Sequence, residues 1–373
     1  MEIKVFVGVI KKPIMTIIII IVPVLILELV LRCVDYTYYP DDIGFHPTPK
    51  YQMVHRDGDQ YRGIKDQHFD VEKTEKEFRV FLFGGSSIHY IPLEPLEEKL
   101  KTLVPEKNVN VINLGFGSWG STRLLLLLRE MIFYEPDLII IYSGHNEFSE
   151  RYVKEIFYKD NWMTDLNERF LAGSKSYQLF NLTIRNIMIV LAKAGMGMIK
   201  PKRAPIFVPQ FDDFSNEVFT PPDRKQVYTN YKKNIIQMVR LAKLHKIPII
   251  ISTIAYNRLA YPSKPTNDLY YEGIGLYKAG EYKLARDKLQ QGLLYDSVIR
   301  RATEESNAII KDIAKVHNVP LADVDRAVVD ASEHQIPGFD FFKDNCHLIP
   351  IGNEIMFNVF FETVRDNNIL HKK

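Results

Sequence analysis

The chain opens on an apolar run without period. Ile14–Leu31 reads IMTIIIIIVPVLILELVL, with a single charge, Glu28. It is apolar on every face, and at ~1.5 Å per residue a helix of this length nearly crosses a hydrocarbon core of ~30 Å. A polar stretch over 35–75 follows, with Tyr, Pro, Asp and Gly scattered through it. Then short apolar runs alternate with helix-period segments. Phe78–Phe83 (FRVFLF), Val109–Leu114 (VNVINL), Pro136–Tyr142 (PDLIIIY), Ile247–Ile254 (IPIIISTI) and Val319–Val324 read as five strands. Short, nearly continuous apolar runs suit a parallel sheet covered on both faces. Pro95–Leu103, Ser121–Tyr134, Tyr228–Lys243, Ala302–His317 and Pro350–Arg365 read as helices between and after them. The alternation predicts an α/β fold: a doubly wound parallel five-stranded sheet with right-handed crossovers.

Two segments interrupt the rhythm. Residues 150–224 are rich in aromatic residues and Met, carry the basic KPKR of Lys200–Arg203, and read as a helical insert or lid. Tyr270–Leu294 reads as two short helices around Ala279-Gly280, a hairpin of tetratricopeptide type. A single copy is a decoration and not a solenoid, since repeat folds need about three copies. The organisation expected is a cytoplasmic N-terminus (1–13), a transmembrane anchor (14–32), a stalk and lead-in (33–75) and one domain (76–373) carrying the 150–224 insert and the 268–296 hairpin.

Charge sharpens the reading of the first run. Lys4, Lys11 and Lys12 precede it, and Asp35, Asp41 and Asp42 follow. The positive-inside rule then leaves the domain outside the cytoplasm, in the periplasm or on the cell surface. A cleaved signal peptide is the competing reading, but no small-x-small cleavage pattern follows the run. A net charge of +2 in 373 residues gives no argument for a nucleic-acid partner. Two cysteines, Cys33 and Cys346, make no disulfide framework, and the ten histidines form no H-x-x-x-H pair, so neither a metal nor a cofactor is expected.

In doubly wound sheets the ligand sits beyond the carboxyl ends of the strands. The residues there are Gly84-Gly85-Ser86-Ser87, Gly115-Phe116-Gly117-Ser118, Gly144-His145-Asn146-Glu147, Asn257 and Asp344-Asn345-Cys346-His347. A hydroxyl, small-residue backbone, an amide and an Asp/His pair on one rim are the parts of acyl transfer. Gly115–Gly120 (GFGSWG) also fits G-x-G-x-x-G, the dinucleotide pattern. It follows the second strand and not the first, and its candidate acid, Asp137, starts the third strand at the opposite edge. A G-x-S-x-G elbow fails too, because Ile88 stands where the last glycine belongs.

FLFGGSS, NLGFGSWG, GHNE and DNCH, in that order and each after a strand, resemble the four blocks of the SGNH (GDSL-type) hydrolases. The resemblance spans roughly residues 78–365, with Gly85 where that family often has Asp and Glu147 where it usually has Asp. It implies the flavodoxin-like hydrolase fold, Ser86 as nucleophile, His347 as base then acid, and Asp344 as its orienter. The oxyanion hole implied is the N–H of Ser86, the amide of Asn146 and a backbone N–H from the second block. Aligned on Asn113, that last donor falls at Ser118, one residue past Gly117.

Plainer readings accompany these roles. Ser86 and Asp344 could cap helices, and Asn146 could hold a tight turn. Ser87 is the neighbouring alternative to Ser86. His145 and Glu147 read as loop supports, and Cys346 as a packed thiol. Arg300, Arg301 and Asn307 read as a solvated helix face, with anion binding as the other choice. The function expected is a membrane-anchored serine esterase acting on an O-acyl ester, O-acetyl included, of an envelope glycan or lipid. An O-acyltransferase with the same residues and a non-catalytic binding or scaffold protein stand beside it. Protein partners are not indicated.

Overall fold

The structure is a computed structural model that describes residues 21–30, 45–47, 53–55, 69, 73–150, 176, 219–262, 268–294 and 299–369. The chain divides into two compact units, Met1–Pro40 with Asp160–Arg203 and Asp41–Lys159 with Ala204–Lys373.

In the first unit, helix α1 (21–30) leaves large apolar side chains such as Leu25 and Leu29 exposed. Its one acid is not left alone: Ser176 donates its N–H to Glu28 Oε2 at 2.8 Å and its hydroxyl to the Val24 carbonyl at 3.3 Å. Among the described residues no helix is long and apolar enough to cross a membrane. The rest of the expected anchor (14–20, 31 and 32), most of the stalk and nearly all of the 150–224 insert lie outside the described residues.

The second unit opens with a small antiparallel pair, β1 (Phe45–Pro47) and β2 (Met53–His55). Its centre is a five-stranded, all-parallel sheet: β3 (Glu77–Gly84), β4 (Asn108–Gly115), β5 (Leu138–Tyr142), β6 (Ile249–Ser252) and β7 (Leu321–Ala322). The order β4-β3-β5-β6-β7 is the flavodoxin-like one, with its switch point between β3 and the strands on either side. Alternate residues explain the apolar runs. Val80, Leu82, Leu138, Ile140 and Ile250 pack on one face with Leu96, Leu100, Met356 and Phe360. Phe81, Phe83, Ile139, Ile141 and Ile251 on the other face are equally buried. Each such side chain contributes about 1.5–3 kcal/mol by leaving water.

The helices bracket this sheet: α2 (Ser86–His89), α3 (Glu94–Lys101), α4 (Ser121–Met131), α5 (Pro221–Leu244), α6 (Leu269–Lys278), α7 (Tyr282–Leu294), α8 (Glu304–His317), α9 (Val324–Ala331) and α10 (Pro350–Asp366). Helix α5 begins seven residues before the position the apolar period indicates. Thr220 and Asp223 form a reciprocal capping box there, and proline occupies the first turn. The fifth strand is two residues long instead of six. It lies at the sheet edge, and Asp323 ends it by capping α9, a helix that the sequence reading does not contain. Helices α6 and α7 turn at Gly280 (φ +84) and pack Tyr270, Ala285 and Leu289 against Ile336.

Candidate active site

Strand β3 ends at Gly84, Gly85 is extended, and Ser86 opens the one-turn helix α2. First-turn N–H groups have no intrahelical acceptor, so Ser86 presents a hydroxyl and a backbone donor at the same point. The turn is fixed from β4. Asn113 donates its amide to the Ile88 carbonyl at 2.9 Å, while its Oδ1 accepts the Gly115 N–H at 2.9 Å. A β-carbon on Gly115 would stand 2.5 Å from the His89 nitrogen. The first glycine of GFGSWG therefore lets two backbones touch, a role unrelated to a pyrophosphate. Asp137 accepts from the Arg79 N–H and from Lys73, both at 2.9 Å, where β5 begins. That is the edge away from Ser86.

The segment before α10 supplies the other two groups. A bridge between Phe342 and Leu348 closes a tight loop in which Lys343 donates its N–H to the His347 carbonyl. Within the loop, Asp344 Oδ1 accepts the N–H groups of Cys346 (2.9 Å) and His347 (2.8 Å). Asp344 Oδ2 lies 2.6 Å from His347 Nδ1, and His347 Nε2 lies 2.7 Å from Ser86 Oγ. Partial burial works against the Asp344 charge, but the two backbone donors and the imidazole outweigh it and hold this carboxyl below its ordinary value. An ionised carboxylate places the ring proton on Nδ1, which leaves Nε2 to accept from the serine hydroxyl. Hydroxyl, imidazole and carboxylate thus form one continuous line.

Ser87 is turned elsewhere. It is buried and donates to the Cys346 carbonyl at 3.3 Å. The Cys346 thiol is buried as well, and burial pushes it up to about 12, far from a working thiolate.

The amide of Asn146 donates to the Trp119 carbonyl at 2.9 Å. Its nitrogen lies only 2.5 Å from where a β-carbon on Gly85 would be, beside Ser86. The same side chain explains why the position before Ser86 has no side chain of its own. Ser118 takes a left-handed backbone (φ +62), and Arg123 holds its carbonyl while pairing with Glu150. Gly117 lies near the Tyr90 hydroxyl, and the exposed Tyr90 ring meets the His347 ring edge-on at 6.2 Å. Among the described residues no hydrogen bond ties Gly117 or Ser118 to Ser86.

The neighbours of Asn146 act as supports. His145 Nδ1 accepts the Ala302 N–H at 3.0 Å, and burial, followed by the charge of His347, pushes the ring down to about 3, so it stays neutral. Glu147 accepts the N–H and hydroxyl of Ser121 at 3.0 and 2.5 Å and the hydroxyl of Ser143 at 3.2 Å. Burial pushes it up to about 7.

Two residues take a part that the sequence does not reveal. Asn257, fully buried after β6, donates its N–H to the Asn345 carbonyl (3.1 Å) and its amide to the Asp344 carbonyl (2.9 Å). Arg301 is buried, not part of a solvated face, and precedes α8. It donates to the carbonyls of Asn257, Ala260 and Tyr261 at 2.9, 3.2 and 2.7 Å. Asn307 is buried too, pairing with both backbone groups of Ile254. The only signal in sequence was position: Asn257 follows a strand at the functional edge.

No family model and no curated protein matches the sequence. Solved structures similar to it include a GDSL-like lipase from Bacteroides thetaiotaomicron, at 16% identity over 79% of this chain and 91% of that one, TM-score 0.38. Another is a putative acylhydrolase from Bacteroides fragilis, at 15% over 79% and 89%, TM-score 0.39. A third is a catalytic mutant of an acetylxylan esterase from Geobacillus stearothermophilus, at 12% over 77% and 94%, TM-score 0.40.

Proposed function

We propose that this chain is a serine ester hydrolase working through an acyl-enzyme. The observation that carries the reading is the unbroken line from Ser86 Oγ to His347 Nε2 and from His347 Nδ1 to Asp344 Oδ2, at 2.7 and 2.6 Å. As Ser86 attacks the ester carbonyl, its proton passes to Nε2. Asp344 keeps the ring in the correct tautomer and stabilises the imidazolium. The amide of Asn146 and the N–H of Ser86, with a backbone N–H from Gly117 or Ser118, receive the developing oxyanion. Collapse of the tetrahedral species expels the alcohol, which takes the proton from His347. Water, activated by the same imidazole, then releases the acid and restores the serine.

The substrate is an O-acyl ester, an O-acetyl group included, on a cell-envelope glycan or lipid. The apolar run at 14–32 holds the enzyme at the membrane with the domain outside the cytoplasm. That part of the reading rests on the charge asymmetry around the run and on the family the blocks resemble. Transfer to a sugar hydroxyl in place of water uses the same residues and is the second reading.

The test is a fluorophosphonate probe and p-nitrophenyl acetate turnover on the full chain, wild type against Ser86→Ala. Labelling and turnover in wild type alone are expected. Labelling without turnover favours the transferase. A folded wild type that takes no label overturns the nucleophile and leaves a binding protein.

A further inference from the structure

Cys346 has no part in ester chemistry, yet it stands between the two residues that activate Ser86. Its Sγ lies 3.6 Å from His347 Nδ1, with the hydrogen-bond geometry of a ring-nitrogen partner. Asp344 Oδ2 lies 2.6 Å from the same nitrogen. One ligand atom from each of Asp344, Cys346 and His347 falls within 4.8 Å of the others. No metal-ligand spacing is visible in the sequence; the loop of residues 344–347 creates the cluster by folding back on itself.

We propose that Asp344, Cys346 and His347 form an inhibitory site for one thiophilic divalent cation of the Zn2+ class. Thiolate, imidazole and carboxylate are the donors Zn2+ takes, with water at a fourth position. Tetrahedral ligands at ~2.0–2.3 Å from the metal stand about 3.3–3.6 Å apart, so the thiol-to-imidazole spacing already fits, the carboxylate withdraws from the ring by less than ~1 Å, and the thiol and carboxylate, within 4.8 Å of each other, close to the same spacing. The Asp344 and His347 side chains are 42% and 22% exposed, which gives the ion a way in.

The cation displaces the proton of the Cys346 thiol, which leaves to solvent, and the His347 ring proton moves through solvent from Nδ1 to Nε2, so one proton is released for each ion bound. One carboxylate and one thiolate then neutralise its two charges. A ring metallated at Nδ1 carries its proton on Nε2, and can no longer take the proton of Ser86. Turnover stops until the metal leaves. The inhibition rests on the hydrolase reading above; the binding of the metal does not.

The experiment uses the full chain and Co2+ as a visible stand-in for Zn2+. Wild type and Ser86→Ala should develop the near-ultraviolet band of a cobalt–thiolate bond, and Cys346→Ala should not. In the esterase assay Zn2+ should inhibit wild type reversibly, with relief by EDTA. Cys346→Ala should turn over ester within about twofold of wild type and need roughly tenfold more Zn2+ for the same inhibition. Cys346→Ser, which keeps the size but offers a poor ligand, answers the same question if the alanine variant does not fold. Absence of the cobalt band in wild type, or equal Zn2+ inhibition with and without the thiol, overturns the proposal. A thiol-dependent band in a protein that cleaves no ester keeps the metal site and overturns the hydrolase reading instead.

Discussion

The side-chain amide of Asn257 donates to the main-chain carbonyl of Asp344 at 2.9 Å, across 87 residues of sequence. Its Oδ1 meanwhile accepts the N–H groups of Leu259 and Ala260, both at 2.9 Å. The residue therefore clamps the loop that carries the carboxylate and the imidazole, and it is itself held by Arg301. Asn257→Asp keeps the acceptor oxygen and loses the donor, turning an attraction to the Asp344 carbonyl into a repulsion. A small misplacement of reacting groups costs about 10–10² in rate. The expected result is a kcat lower by that factor, with KM within about twofold. Steady-state kinetics on a variant whose circular dichroism matches wild type checks it; an unchanged kcat would rule the clamp out.

Gly85 is one of the departures from the resembled family, and the Asn146 amide fills the space a side chain there would need. Gly85→Ala should push that amide aside. Loss of one oxyanion donor costs about 10²–10³ in kcat, and a displaced donor should cost about 10 or more. Asn146→Ala in the same background should then add little, because the two changes remove one contact. Full additivity in the double variant contradicts the arrangement.

Asp344→Asn leaves the loop nearly isosteric but removes the charge that sets the His347 tautomer. Turnover should fall by about 10³–10⁴, and fluorophosphonate labelling should slow in parallel. The Asp344 carboxyl lies below its ordinary value, so its contribution to stability is present above the unfolded pKa of about 3.9 and fades as pH falls through the folded one. Urea unfolding of the two proteins should differ at neutral pH and converge only once the pH falls below the ordinary carboxylate range.

Glu147 has the opposite sign. Its folded-state value, about 7, lies above the unfolded value of about 4.3. The folded chain therefore holds a proton that the unfolded chain has lost, and stability declines as pH rises between those limits. The full difference is on the order of 3 kcal/mol. Glu147→Gln can still accept from the Ser121 N–H and donate to its hydroxyl, so the variant should gain on wild type from pH ~5 to pH ~7 and hold that gain above it. Denaturant midpoints across that range decide the matter; parallel curves would show that Glu147 does not titrate there.

The sheet was legible because its strands are buried on both faces, which leaves runs such as FRVFLF almost without polar interruption. Even Arg79 within that run is fully buried, bound to Glu77 and to the Tyr134 carbonyl. The four rim loops were legible for a related reason: topology sends the end of every parallel strand to the same edge. Helix α9 was not, because an edge strand of two residues and the helix that follows it share one apolar stretch. Asn257 was placed at that edge too, but its task as a clamp was not legible, and neither was that of Arg301. Their partners are backbone carbonyls, which every residue carries, so no side-chain pattern marks them. Arg301 looks in sequence like any charge near a helix start, and only the fold turns it inward.

Ser86 and His347 meet across 261 residues. During synthesis the hydroxyl emerges early and waits, inert, while almost the whole sheet is made. Any product that stops before residue 347 has the nucleophile without its base, however well its earlier strands pair. On the proposed reading, ester cleavage is therefore a report on completion: an unfinished chain that stops short of His347 does no chemistry near its substrate.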